Sequence, residues 1–206
     1  PVNQSTYPLL DSISGTQSSR CITSGLLLGT CPQLIDGFAS NAITFNRTTD
    51  GIQTGYSLQS SGVVSHSLAL RFKINPDATS GLLATLQAPT TVASLAMQVL
   101  YQKDTQSLAI RINNASSTLL STSATTTPID DNNWHTLIIT SRGTNSTTKQ
   151  ITISIDGNLT LTQSITGNWV GAQLGLGAMT VTPYTGTSTT TTAATNTIVD
   201  DVTVFN

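Results

Sequence analysis

Between residues 64 and 74 apolar and polar positions alternate without a break. Val64, His66, Leu68, Leu70, Phe72 and Ile74 hold one phase, and Ser65, Ser67, Ala69, Arg71 and Lys73 hold the other. Period two over that length describes a strand with one face buried and one face wet. The same period recurs in 42–45, 52–58, 82–86, 95–101, 108–112, 134–140, 151–155, 159–165, 174–176 and 198–205. About a dozen short strands separated by turn signals predict an all-β fold, a two-sheet antiparallel jelly-roll sandwich. No segment carries the 3.6-residue period of a helix.

Turn chemistry supports that register. Ile151 to Ile155 runs into Asp156-Gly157 and then into 158–161, again alternating. Asp-Gly between two such runs predicts a hairpin, because a type I′ turn needs positive φ at both central residues. Residues 184–197 are low in complexity, with an unbroken Thr run at 189–192. They are expected to form an exposed loop that packs against nothing. The first 36 residues lack alternation and mix Ser, Gly, Pro and both cysteines. The expected organisation is therefore an irregular cap or extended arm over 1–36 and a sandwich over 37–206.

Composition sharpens this picture. All ten acidic residues are Asp, charged residues are 9% of the chain, and the net charge is −2. Without Glu, and rich in Thr, Val and Ile, the chain favours pleated surfaces over helices. Eight scattered basic residues give no electrostatic footprint for nucleic acid. No apolar run approaches the ~20 residues that span a bilayer, so no membrane insertion is expected. Ser and Thr supply the wettable surface, which suits an extracellular or cell-surface location. Any targeting segment is expected to have been removed already. Cys21 and Cys31 enclose a short loop whose spacing matches neither a metal site nor a redox pair. A disulfide is the expected state, with two buried thiols as the alternative.

Catalytic constellations are hard to assemble. The adjacent acids Asp130-Asp131 fall in a turn. Asp200 and Asp201 fall in a strand, where neighbours point to opposite faces. His66 and His135 sit inside strands, and there is no Gly-x-Ser-x-Gly elbow. The chain is expected not to be an enzyme. Glycosylation sequons occur at Asn3, Asn46, Asn114, Asn145 and Asn158, about as many as chance yields in so Ser/Thr-rich a chain.

Taken in order, the strands carry a resemblance. Residues 37–45 with Asp50-Gly51-Ile52 come first, then 67–73 and Gly81-Leu82-Leu83. Asn133-Trp134-His135-Thr136-Leu137, Ile153-Ser154-Ile155-Asp156-Gly157 and Leu174-Gly175-Leu176-Gly177 follow, and 198–205 closes the series. The ordered set resembles the laminin-G-like, concanavalin-A-like domains over residues 37–206. That resemblance implies a jelly roll with one concave sheet, non-catalytic, binding glycans or proteins, often with Ca²⁺. Related glycosidases carry a Glu-x-Asp-x-Glu strand, which a chain without Glu cannot match. Asp200 corresponds to a structural Ca²⁺ ligand in several relatives and would draw on carbonyls near residues 36–50; the alternative is a hydrogen bond to a neighbouring loop. The counterpart of Trp134 packs inside the family's sandwich, which leaves Trp169 as the expected exposed, sugar-stacking aromatic.

Three functions follow as expectations. The first is an adhesion or recognition module for a glycan or an extracellular protein. Its rival is a subunit of an extracellular filament or coat, self-assembled by donating the N-terminal arm as a strand. A third is an accessory carbohydrate-binding module of a larger enzyme.

Overall fold

The computed structural model describes residues 6–7, 19–21, 31–38, 41–60, 64–87, 95–114, 118–123, 128–181 and 189–205. These residues contain no helix and form seventeen strands. In chain order they are β1 (Thr6–Tyr7), β2 (Ser19–Cys21), β3 (Gln33–Asp36), β4 (Asn41–Phe45), β5 (Gly51–Ser60) and β6 (His66–Ile74). Next come β7 (Gly81–Gln87), β8 (Ala96–Gln102), β9 (Ser107–Asn113), β10 (Thr118–Ser123), β11 (Trp134–Gly143) and β12 (Thr148–Ile155). The last five are β13 (Asn158–Thr166), β14 (Trp169–Gly177), β15 (Met179–Val181), β16 (Thr189–Thr191) and β17 (Thr197–Phe205).

Two antiparallel sheets stack face to face, as the alternation predicts. The eight-stranded sheet has the order β1-β2-β5-β14-β7-β8-β9-β10, and the seven-stranded sheet β13-β12-β11-β6-β17-β4-β3. Crossovers place β14 between β5 and β7, and β17 between β6 and β4, which closes the roll. Strand β6 shows the period-two pattern literally: His66, Leu68, Leu70, Phe72 and Ile74 are buried and the residues between them are half-buried. Opposite them lie rows from the other sheet. Ile52, Leu176, Ala84, Val99 and Ile110 are mutually paired, as are Leu174, Leu86, Met97, Ile112 and Leu120. Each fully buried side chain of this size stabilises the fold by roughly 1.5–3 kcal/mol.

The Asp156-Gly157 hairpin forms as expected, with φ of 51° and 78°. A Cβ on Gly157 would meet nothing within 4 Å, so the requirement there is backbone conformation and not space. Just beyond the turn the pairing of β12 with β13 slips between Ile153 and Ser154, which leaves Thr160 as an extra residue. This bulge turns Leu159 away from the core, where it stands 66% exposed.

The expectation for 184–197 needs correction over its second half. β16 pairs with β15, and Ala193 and Ala194 are fully buried. The Leu82 amide donates to Thr192 O, and Leu82 O accepts from the Ala194 amide. Gly81 permits this, because a Cβ there would collide with the backbone of Ala193 and Ala194. Residues 182–188 lie outside the described residues. In the first 36, β2 pairs with β5 and β3 pairs with β4, so the described strands of this segment edge the chain's own two sheets. Cys31 is disulfide-bonded.

Candidate functional site

Residues directly opposed across an antiparallel ladder share a face. The outward face of the eight-stranded sheet therefore carries one continuous row: Gln53, Gly175, Thr85, Gln98, Arg111 and Ser121, from β5 across to β10. By backbone register it extends through Arg20 to Thr6. At ~4.8 Å between strands, the six positions span ~24 Å. Every member is polar or glycine. At the centre Thr85 is buried, with its hydroxyl donating to Met97 O (2.8 Å), beside Gly175, which presents no side chain. Towards the edges, Gln173, Arg111 and Ser121 are exposed and Gln53 and Gln98 half-buried, and the Gln53 amide donates to Gln173 Oε1. The accessible part of the face thus carries amides, a guanidinium and hydroxyls around a buried centre. No strand of this sheet contains an acidic residue.

The two tryptophans occupy the reverse of their expected positions. Trp169 opens β14 on the inner face, 2% exposed, and its indole N–H donates to Ser141 Oγ at 2.8 Å. It is a core residue and offers no stacking platform. Trp134 is half-buried on the outer face of the seven-stranded sheet, edge-on to the exposed Phe38 at 6.2 Å. Arg71 covers the Phe38 ring at 4.2 Å and pairs with Asp201 at 3.2 Å.

Asp200 is buried at the point where β17 slips its register against β6. Its Oδ2 accepts from the Phe38 amide and its Oδ1 from the Asp201 amide, both at 2.8 Å. From the 36–50 side it is the Phe38 amide that reaches this carboxylate. Among the described residues no group of three or more His, Cys, Asp or Glu side chains is arranged to hold a metal. The geometry at Asp200 matches the hydrogen-bonding alternative.

Sequence reasoning missed the chemistry around His135. Its ring stacks on Phe72 at 5.5 Å, Nδ1 lies 2.7 Å from Asp156 Oδ2, and Nε2 lies 3.0 Å from Asp131 Oδ1. Burial disfavours the imidazolium, but the hydrogen bonds and charges of Asp156 and Asp131 outweigh it and raise the His135 pKa. Asp131 is lowered to about 2, mainly by hydrogen bonds from Asn133, with His135 adding to the shift. Its neighbour Asp130 is buried and accepts from Tyr101 Oη (2.8 Å), Gln106 Nε2 (3.2 Å) and Lys103 Nζ (3.5 Å). With both nitrogens bound to carboxylates, His135 has none left to activate a nucleophile. His66 is buried on the inner face, opposite Ser141.

Of the sequons, Asn46, Asn145 and Asn158 are exposed, Asn114 is half-buried, and Asn3 lies outside the described residues.

No protein-family model matches this chain, and no curated protein matches it in sequence. Solved structures do match in fold. Domain 4 of AbnA, a GH43 extracellular arabinanase from Geobacillus stearothermophilus solved with arabinotriose, superposes with a TM-score of 0.58 at 14% identity. The match covers 93% of this chain and 85% of that one. Mouse laminin alpha1 domains LG4-5 give a TM-score of 0.56 at 16% identity over 85% of this chain, which spans 43% of that longer chain. An endo-beta-1,4-glucuronan lyase from the fungus Trichoderma reesei gives 0.53 at 11% identity, covering 84% and 85%. At these identities the likeness is one of fold, and that fold is the laminin-G and jelly-roll type.

Proposed function

We propose that this chain is an extracellular, non-catalytic carbohydrate-recognition module whose ligand lies across the outer face of the eight-stranded sheet. The polar row from Gln53 to Ser121 carries the reading. Sugars present hydroxyls in two rows along a flat ring, and side-chain amides, hydroxyls and guanidinium groups satisfy them as both donors and acceptors. Similarity in fold to an arabinanase domain solved with a trisaccharide supports the assignment to glycans. The Ser/Thr-rich composition and the disulfide at Cys31 support an oxidising, extracellular setting.

The non-catalytic part rests on what the face lacks. Its described strands hold no carboxylate for acid–base hydrolysis, and both histidines point to the inner side of the other sheet. β-Elimination of a uronate needs no carboxylate pair, so the missing Glu does not bear on that reaction. The described strands of the first 36 residues pair in cis, which supports a self-contained module over a strand donated to a neighbour.

The test is calorimetric titration of the intact protein with a panel of oligosaccharides, beside the double variant Gln98→Ala/Gln173→Ala. The variant should lose at least about tenfold in affinity, since several hydrogen bonds of roughly 1 kcal/mol each disappear. Binding that survives the double variant would move the site elsewhere. Release of an unsaturated product, read by its ultraviolet absorbance, would replace the binding module with a lyase.

A further inference from the structure

Among the described residues carboxylates are segregated. Asp50, Asp77, Asp104, Asp130, Asp131 and Asp156 crowd into the loops and turns at one end of the sandwich, and Asp36, Asp200 and Asp201 lie on strands of the seven-stranded sheet. The eight strands of the other sheet contain two charged residues, Arg20 and Arg111, and both fall on the polar row. Arg111 is exposed, and its ladder neighbours Gln98 and Ser121 are neutral. Strand rise puts Arg111 ~13 Å from Ser107 at the acidic end of β9. That exceeds the ~8 Å Debye length at physiological salt, so the carboxylates in those loops are largely screened from it. On the other sheet and its loops, by contrast, cations and carboxylates are mixed: Arg71 is paired with Asp201 and Lys103 with Asp130.

We propose that the glycan bound across this face is anionic, a chain bearing carboxylate or sulfate groups, with Arg111 as the residue that selects for charge. The inference rests on the reading of this face as a glycan site. An extended guanidinium presents a rigid fork of N–H donors that grips a carboxylate or sulfate through two parallel bonds, whereas a neutral sugar takes only single bonds from it. The flanking amides of Gln98 and Gln173 are left for hydroxyls. By register the row from Gln53 to Ser121 runs ~24 Å, a length that suits an extended chain and not a single sugar.

The experiment uses the intact protein and three probes of equal length: an oligogalacturonide, a cello-oligosaccharide, and a sulfated cello-oligosaccharide. One or both anionic probes should bind more tightly than the neutral one, with affinity falling as salt rises. Which of them binds decides between carboxylate and sulfate. Arg111→Ala should weaken the anionic probe about tenfold while changing the neutral one less than about twofold. Arg111→Lys, which keeps the charge and loses the fork, should fall between. Arg142→Ala, an exposed cation on the other sheet, should change nothing, and matched melting curves confirm that each variant is folded. Equal binding of neutral and anionic probes, or indifference to Arg111→Ala, overturns the inference and leaves the glycan reading standing. Failure of every probe overturns both.

Discussion

Where Phe45, Ile74 and Thr197 meet, the sandwich is closed by carboxylates; where His66, Ser141 and Trp169 meet, it is closed by amides and hydroxyls. At the first end Asp50 Oδ2 accepts from the Asn46 and Arg47 amides at 2.9 Å. Asp131 accepts from Asn133, Asp156 from Thr136, and Asp130 from Tyr101, Gln106 and Lys103. At the second end Asn145 Oδ1 accepts from the Thr147 and Thr148 amides, the Gly167 amide donates to Thr147 O, and the Leu95 amide donates to Asn168 O. Both solutions satisfy turn amides, but only the first can be titrated. An ionised carboxylate accepts more strongly than an amide oxygen and loses that strength on protonation. The caps at the first end should therefore weaken in acid and those at the second should not; a titrating group at the second end is the buried Lys149, whose pKa burial lowers.

The largest expected effect is at Asp130, whose side chain is 1% exposed. Asp130→Ala removes the acceptor shared by the Tyr101 hydroxyl, Gln106 and Lys103 and leaves those donors facing a gap. A loss of about 3–5 kcal/mol is expected in urea denaturation. The counterpart at the other end is Trp169→Phe, which removes the indole N–H and strands Ser141 Oγ at a cost of about 1–2 kcal/mol. If the two variants were equally destabilised, the carboxylate end would have no special weight.

Next in size is the pH profile. His135 has a raised pKa in the fold, so its contribution is complete below its ordinary value of 6.5 and disappears as pH rises through the folded value. Asp131 is lowered, so its contribution is complete above its ordinary 3.8 and is lost as pH falls towards about 2. Asp130 is lowered as well, because its hydrogen-bond donors outweigh the burial that opposes ionisation, and it adds to the acid limb. These three groups place the maximum between those two ordinary values, with a fall on either side; the buried Lys149 works against the alkaline fall, because its disfavoured charge is relieved as pH rises. His135→Gln should flatten the alkaline limb and leave most of the acid limb. A urea midpoint unchanged from the plateau through mildly alkaline pH would refute the His135 assignment.

How much of this was legible beforehand depends on the range of the cause. The Asp156-Gly157 hairpin and the β6 alternation are local, and both formed as the residue pattern implied. The placement of Trp134 was also legible. It shares its phase with Thr136 and Ile138, opposite to Leu137 and Ile139, but the family resemblance argued for the core and misled. Strand β10 was overlooked because its Ser and Thr positions dilute the alternation. The burial of Ala193 and Ala194 depends on Gly81, a residue more than a hundred positions earlier. The acidic clamp on His135 joins a loop, a strand and a hairpin turn, which only the folded register brings together. For the proposed binding face the residue types were visible, but the row emerges only from strand order, since β14 enters between β5 and β7.

The smallest effect gives the cleanest test of the comparison, because it moves one chemistry to the other end. Asn145 is exposed, and its side-chain oxygen caps the turn between β11 and β12 through two amides and the Thr147 hydroxyl. Asn145→Ala removes the cap and should cost about 1 kcal/mol, equally at every pH, since no titrating group is involved. Asn145→Asp keeps the acceptor geometry and makes it ionisable. At neutral pH this variant should match or slightly exceed the parent, and its advantage should vanish as the pH falls through the carboxylate range. Urea midpoints of the three proteins at neutral and acid pH decide the matter. If Asn145→Asp brought no added acid sensitivity, the pH response of the native carboxylate end would come from burial or net charge and not from the caps themselves.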